Sequence, residues 1–535
     1  MDKKRFFKFL TLILLLFLPL KTTFARTPMT IAEKSDYKST SKVEDVVNFF
    51  LQLQSMYPEN IIVSSIGKTF EGREIPLIIA GNPAPCQPCN TDKPVIMINA
   101  NIHAGEVEGK EAVQMFIRDL LKEKSPVLDK FVFVIIPVFN ADGNEKISPE
   151  HRPYQRVKNG VGIRYNGMNM DLNRDFVKLD SPEAKALVAT FNKWNPLIFI
   201  DMHTTNGSFH EEPLTFTWSM SPAGSGEMAD FIRKSIFPFV KKYSMEKHQI
   251  DCIPYGHFDN QENPTKWRGF FGGMVFATGY FGAKGAFSFL NENYAYADYK
   301  TRIKAAYSFL DSLIAFASKS KNLDKMIEIQ KRFYSLPYTY IYTKTEAVPC
   351  GEKITIKGYK VYKDKKTGRF KPDKTKRIDY RVDFIGCFKG EKTVISGAFI
   401  FAPGLSPIAE KLRQHGINVY KLQQNQTVKA KRYKIEKIEF SDFPFQGRQF
   451  VKNIEGKFET TELEIEKGWY VVPLNNTQKY KQVATALLYP ESEDSLLKEG
   501  FFNLLIFPSQ WSKKPGYYPV YLINSVKGLK LKLVR

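Results

Sequence analysis

Between about residues 40 and 320, short apolar runs alternate with stretches whose apolar residues recur at helical spacing. Val95-Ile-Met-Ile-Asn-Ala100, Phe131-Val-Phe-Val-Ile-Ile136, Leu197-Ile-Phe-Ile200 and Ala286-Phe-Ser-Phe-Leu290 are apolar on nearly every position, the pattern of strands buried on both faces. After the first of these, Ala112, Val113, Phe116, Ile117, Leu120 and Leu121 form one stripe of a helix. Ser181-Pro-Glu183 predicts a helix start, with a capping hydroxyl followed by proline at the first helical position. A long helix is predicted from about Asp298 to Ala317. Ile61-Ile-Val63 and Ile75-Pro-Leu-Ile-Ile79 flank a turn around Glu71-Gly-Arg73 and predict a hairpin. Together these elements predict an α/β fold, a mixed doubly wound sheet with helices on both faces. Ligands of such sheets gather beyond the carboxyl ends of the strands. His103, His203 and Glu292 all fall at such ends.

The texture changes after about residue 325. Tyr and Lys become frequent, β-branched alternation appears in Ile354-Thr-Ile-Lys357, and one short strand–helix–strand unit surrounds Ser406 to His415, stopped by Gly416. The expected organisation is a catalytic domain over 26–325 and a smaller β-rich accessory domain over 335–535. Residues 1–25 read as a leader. Asp2-Lys-Lys-Arg-Phe-Phe-Lys8 supplies a positive start, Leu10 to Leu20 an apolar stretch too short for a comfortable span, and Thr23-Phe-Ala25 a small-residue cleavage site. Export to the periplasm or the medium follows as the expectation, with no stable membrane span after cleavage and retention as an anchor as the alternative.

Charge and cysteine content narrow the partners. The chain carries a net charge of +22, and removing residues 1–25 takes away five basic and one acidic residue to leave +18. Such a surplus attracts anionic polymers over long range. Lysines scattered as in Lys363-Asp-Lys-Lys-Thr-Gly-Arg369 fit a solvated surface better, and no nucleic-acid-binding module surrounds them, so nucleic acid is excluded as the partner. Five cysteines leave at least one unpaired in an oxidising compartment. Cys86-Gln-Pro-Cys89 sits in a Pro/Asn-rich loop, where a small loop disulfide is the expected use. Its redox reading is weak, because no helix begins at Cys86.

The chemistry lies in a few polar residues at the strand ends. His103 and Glu106 are three apart across a strand-to-helix turn, so both can face one ion from the mouth of the sheet, and His203 approaches from a separate strand. A catalytic zinc site needs three such ligands and one open position for water. His103 and Glu106 alone carry little weight, since a lone His is more often a satisfied polar residue. Asn173 and Arg174, side by side in Met170-Asp-Leu-Asn-Arg-Asp175, are the pair that grips a carboxylate, Arg as a two-bond fork and Asn as a neutral donor. For an isolated Asn-Arg pair, a surface turn with a salt bridge is the commoner reading. Glu292, emerging from an apolar strand, suits a general base for an activated water, or else a paired surface acid.

In order along the chain, Asn101-Ile-His-Ala-Gly-Glu106, Asn140-Ala-Asp-Gly143, Asp171-Leu-Asn-Arg174, His203 and Glu292 resemble the zinc carboxypeptidases of the carboxypeptidase A type, over roughly residues 40 to 318. Ile66-Gly-Lys-Thr-Phe-Glu-Gly-Arg73 resembles that family's N-terminal segment. Leu488-Tyr-Pro-Glu-Ser-Glu-Asp-Ser495 is similar to an extension carried by some bacterial members, with no role evident. The resemblance implies one Zn2+ ion on His103, Glu106 and His203, and Asp171 orienting the first zinc-binding His. It further implies Arg156 stabilising the oxyanion, Asn173 and Arg174 holding the free C-terminal carboxylate, and Glu292 as base. Three departures stand out. Gly105 occupies the place of an Arg found in pancreatic-type members, which removes one cationic substrate contact. Asn293-Tyr294 follow the base in place of commoner residues. Phe270 and Phe271 lie where the family often has a mobile Tyr, with Tyr280 as a possible substitute. The resulting expectation is an exported zinc metallocarboxypeptidase acting on peptides with a free C-terminal carboxylate. The alternatives are a zinc amidohydrolase on the same scaffold acting on peptidoglycan stem peptides or N-acyl amino acids, a binding protein whose catalytic residues have decayed, and a structural envelope protein held by its C-terminal domain.

Overall fold

The structure, a computed structural model, describes residues 27–534 except for 508, 510 and 513. The expected leader over 1–25 lies outside the described residues. Among the described residues no helix is long and apolar enough to cross a membrane.

The strands, in chain order, are β1 Ile61–Lys68, β2 Glu74–Ala80, β3 Val95–Ala100, β4 Val132–Ile136, β5 Ile198–Thr205, β6 Leu214–Trp218, β7 Cys252–Pro254, the short β8 Gly256–Phe258 and β9 Lys266–Gly269, and β10 Phe287–Tyr294. Eight of them form one sheet in the order β1-β2-β4-β3-β5-β10-β6-β7. β3, β4, β5 and β10 run parallel, whereas the β1–β2 hairpin, the β2–β4 pair and the β10–β6 pair are antiparallel, so the sheet is mixed as expected.

Helices cover both faces. They are α1 Val43–Met56, α2 Glu108–Lys122, α3 Pro182–Trp194, α4 Phe237–His248, α5 Ala277–Ala283, α6 Tyr299–Ala317 and α7 Ser320–Ser335. One face of the sheet, with Ile96, Ile98, Ile135, Ile200 and Phe289, packs on α1, α2, α4 and α6. The other, with Met97, Val134 and Phe199, packs on α3 and α5. Strands buried on both faces explain why their sequences are apolar throughout. α3 starts where Ser181-Pro182 predicts: the Ser181 side chain accepts the N–H of Ala184, with Pro182 in the first turn. α6 is capped by Asp298.

The chain beyond residue 335 is β-rich, with β11 Thr339–Val348, β12 Lys353–Lys363, β13 Phe370–Ile385 and β14 Cys387–Ile395, and a seven-stranded sheet around Ala398–Phe401. The expected strand–helix–strand unit is Ala398–Phe401, α8 Ser406–Gln414 and Tyr420–Leu422; a further helix, α9 Lys481–Leu488, follows. This region packs on the eight-stranded sheet through one continuous apolar cluster that joins α3 and α5 to Phe399, Leu412, Val483 and Leu487. β13 also extends the small β8–β9 sheet.

The cysteine expectation is corrected. Cys86 and Cys89 are both free and exposed, and the disulfide joins Cys350 to Cys387. The pairing of β11 with β14 sets Val348 opposite Cys387 and brings the two Cα atoms to 5.2 Å, within the range a disulfide spans. Cys252 is buried and free.

Candidate active site

The loop from β3 to α2 carries two of the candidate ligands, and its shape is set locally. Asn101 adopts a left-handed backbone (φ 64°), and its side-chain amide donates to the carbonyls of Ala104 (3.1 Å) and Glu106 (3.0 Å). A Cβ at Gly105 would stand 2.5 Å from Arg152 Cδ and 2.7 Å from the Gly162 carbonyl oxygen, so only glycine fits. The space beside Glu106 left by Gly105 is filled by Arg152, whose guanidinium donates to Glu106 Oε1 at 2.7 Å.

His203 lies on β5 and Glu292 on β10, directly opposite each other in parallel register, so both side chains leave the sheet on the same face. His103 Nδ1 is 3.0 Å from Glu106 Oε1, and His203 Nδ1 is 2.9 Å from Glu106 Oε2. One ligand atom from each of the three buried side chains lies within 4.8 Å of the others, which fits a single divalent cation. The remaining ring nitrogens face carboxylates. His103 Nε2 is 3.1 Å from Asp171 Oδ1, and His203 Nε2 is 2.8 Å from Asp201 Oδ2. Such outer carboxylates turn a metal-binding imidazole and fix its tautomer. Asp171 is itself held by Arg164 at 2.8 and 3.0 Å, and Asp201 by the Asn99 amide at 2.8 Å.

The electrostatics follow this arrangement. Burial alone would raise Glu106, but the charges of His103 and Arg152 outweigh it and hold the carboxyl well below its usual range. Burial likewise works against charge on His203, yet Asp201 and Glu106 lift it well above the ordinary imidazole value. Burial pushes Glu292 up to about 8, the direction expected of a carboxyl in an enclosed site that must accept a proton near neutral pH.

These residues open into a cavity of about 210 Å³ that is also lined by Arg152, Arg164, Asn173, Arg174, Tyr255 and Phe276. Asn173 and Arg174 sit on a short turn capped by Asp171. Asn173 Oδ1 accepts the Ala277 N–H at 2.9 Å, and its amide nitrogen is 3.5 Å from His203 Nε2. Arg174 lies over the Phe276 ring at 4.2 Å and donates to the Asn173 carbonyl at 2.7 Å. Burial depresses its guanidinium, and among the described residues it has no ion-pair partner.

His103, Glu106, His203, Asp171, Asn173, Arg174 and Glu292 therefore come together, and Arg156 does not. The turn Pro153–Gln155 is flanked by Arg152 and Arg156, both left-handed (φ 44° and 54°). It points Arg152 at Glu106 and Arg156 outward, where Arg156 donates to the Tyr296 carbonyl at 2.9 Å. Tyr280 is also corrected: it is fully buried, with its hydroxyl 2.7 Å from His415 Nδ1. Two tyrosines line the cavity, Tyr154 and Tyr255, and the hydroxyl of Tyr255 is raised by burial and then by the Glu292 charge. Asp201 carried a readable sign, since it is two residues before His203 on one strand face. Tyr255 carried none.

A buried His/Glu/His cluster at the mouth of a mixed sheet, with a carboxyl and a guanidinium that has no ion-pair partner among the described residues in the same cavity, defines a candidate metallohydrolase. The zinc carboxypeptidase family profile matches residues 46–330, and the chain belongs to that family. Among curated relatives, carboxypeptidase B of Canis lupus familiaris is 27% identical over 146 residues, covering 26% of this chain and 33% of that protein. The inactive metallocarboxypeptidase ECM14 of Saccharomyces cerevisiae is 35% identical over 133 residues, covering 22% of this chain and 30% of that protein. The chain thus spans about a third of the length of the curated relatives it matches. A solved metallo-carboxypeptidase from Burkholderia cenocepacia is 18% identical with a TM-score of 0.39, covering 54% of this chain and 70% of that one.

Proposed function

We propose that the protein is a zinc-dependent carboxypeptidase that releases C-terminal residues from peptides outside the cytoplasm, after removal of residues 1–25. The observation that carries this reading is one cavity holding three convergent ligand atoms, Glu292, and an arginine with no carboxylate of its own among the described residues. His103, Glu106 and His203 would hold the ion, which supplies Lewis acidity to a water and to the scissile carbonyl.

The side chains supply the rest. Arg174 and Asn173 bind the free carboxylate and set the distance from the chain terminus to the reacting bond. Glu292 takes a proton from the attacking water and delivers it to the departing amine nitrogen. Arg152 and Arg164, the two guanidiniums nearest the ligand cluster, take the electrostatic role expected of Arg156. Among the described residues that line the cavity, Glu106 and Glu292 are the carboxylates and both are assigned to the chemistry, so a neutral terminal side chain suits the remaining wall better than Lys or Arg.

The test is a pair of peptides, one with a free and one with an amidated C-terminus, assayed with zinc-loaded protein. Amidation is expected to lower kcat/KM at least about 100-fold, since it leaves Arg174 buried without its charge-assisted partner. Equal rates on the two peptides, or activity that survives a strong chelator, would overturn the reading. A protein that cleaves only cell-wall stem peptides would keep the site chemistry and change the substrate.

A further inference from the structure

The run Leu488–Ser495, which has no role evident in the sequence, follows α9 and folds back against the candidate site. Asp494 within it is buried, and its Oδ1 accepts the backbone N–H of Met274 at 2.6 Å. Met274 belongs to the loop between β9 and α5, whose Phe270 and Phe276 line the cavity. The approach is close. A Cβ on Gly273 would stand 2.4 Å from Asp494 Oδ1, and one on Gly279 would stand 2.1 Å from the Gly273 carbonyl oxygen. The same loop supports both residues assigned to the substrate carboxylate, because Phe276 lies under Arg174 and the Ala277 N–H is bonded to Asn173.

A second tether leaves the same segment five residues later. Glu499 Oε2 is 3.4 Å from the buried Lys178 ammonium, which also donates to the carbonyl of Arg174. The turn carrying Asn173 and Arg174 and the loop packed beneath it are thus both held from Asp494–Glu499.

We infer that the segment Ser492–Glu499 is a positioning element of the active site, in which Asp494 fixes the Phe270–Phe276 loop where it supports Arg174 and walls the pocket for the terminal side chain. The inference rests on the carboxypeptidase reading for its kinetic consequence, but the tether itself does not. A buried Met274 N–H without an acceptor would be costly, so the loop is expected to shift when the carboxylate is removed. Asn keeps an acceptor oxygen of the same reach, whereas Ala keeps none.

Full-length Asp494→Ala and Asp494→Asn proteins are compared by amide hydrogen exchange over residues 270–276, by metal content and by kinetics on peptides with free C-termini. Asp494→Ala is expected to speed exchange at Met274 by about 10-fold or more and to raise KM about 10-fold, the size of one lost buried hydrogen bond. Its kcat should stay within about threefold and its metal content unchanged, and Asp494→Asn should restore most of both readouts. Unchanged exchange at Met274 overturns the tether. Equal losses of kcat and metal content in Asp494→Ala, with no rescue by Asn, overturn the positioning role. If Asp494→Ala does not accumulate folded, Gly273→Ala presses on the same contact from the loop side and is expected to raise KM in the same way. Absence of peptidase activity in the unaltered protein defeats the functional reading and leaves the exchange result to decide the tether.

Discussion

At the scale of single residues, the proposed mechanism divides binding from turnover between Arg174 and Glu292. Arg174 has no ion-pair partner among the described residues and sits on Phe276, so its charge is available to a substrate carboxylate. Arg174→Ala is expected to cost on the order of 2–4 kcal/mol in kcat/KM on peptides with a free C-terminus. Glu292→Gln is expected to reduce kcat by at least about 100-fold while KM changes little, since an amide cannot accept the proton. Steady-state kinetics on both variants check the pair, and a Glu292→Gln protein with normal kcat would remove the general base. Most of this site was readable in the sequence, because strand ends in an apolar sheet are few and the polar residues there must have a reason. Arg156 shows where such reading stops. Its spacing ahead of Asn173 gives a distance along the chain but no direction, and two left-handed residues around Pro153–Gln155 direct Arg152 inward instead. Tyr255 stands just after the three-residue β7 and reaches the cavity only through tertiary packing, which no local pattern records.

At the scale of elements, legibility followed burial. β3, β4, β5 and β10 are apolar on both faces and were found from that alone, whereas β6 was not. In β6, Leu214-Thr-Phe-Thr-Trp218, two threonines break the apolar run, yet both are buried, and the Thr215 hydroxyl donates to the Glu292 carbonyl at 2.6 Å. That bond helps hold the strand that carries Glu292. The start of α3 was readable because its cap is chemical. Ser181 caps Ala184 and also donates to Asp175 Oδ2 at 2.7 Å, while Asp175 accepts the N–H groups of Asp180 and Ser181. Ser181→Ala loses the cap and one partner of a buried carboxylate, and is expected to lower stability by about 1–2 kcal/mol. Denaturant unfolding measures it. The Cys350–Cys387 bond was not readable, since the partners are 37 residues apart and meet only through the β11–β14 register.

At the scale of the whole molecule, the β-rich region is packed onto the eight-stranded sheet instead of standing apart, and buried ionisable groups lie in the shared core. Lys284 is buried on the Tyr480 ring at 3.4 Å and donates to the His415 carbonyl at 2.7 Å; burial holds its ammonium well below the usual lysine range. Asp494 acts in the opposite sense, because burial lifts its carboxyl to about 7. Between about pH 4, where the unfolded carboxyl titrates, and about pH 7, folded Asp494 keeps its proton while the unfolded chain releases it. The folded state then binds more protons than the unfolded one, so this group lowers stability as pH rises through that window and adds no further slope above it. Lys284 has the opposite sign: its folded ammonium gives up its proton at lower pH than the unfolded lysine, so its contribution to stability rises with pH toward the ordinary lysine range. The difference from Asp494→Asn isolates the carboxyl, because Lys284 is present in both proteins. Relative to the unaltered protein, Asp494→Asn is expected to gain on the order of 2–4 kcal/mol between pH 4 and pH 7 and then hold that gain to pH 8. Urea unfolding at half-unit pH steps reads this difference directly, and a difference that stays flat across pH 4–7 would place the Asp494 carboxyl near its solvent value.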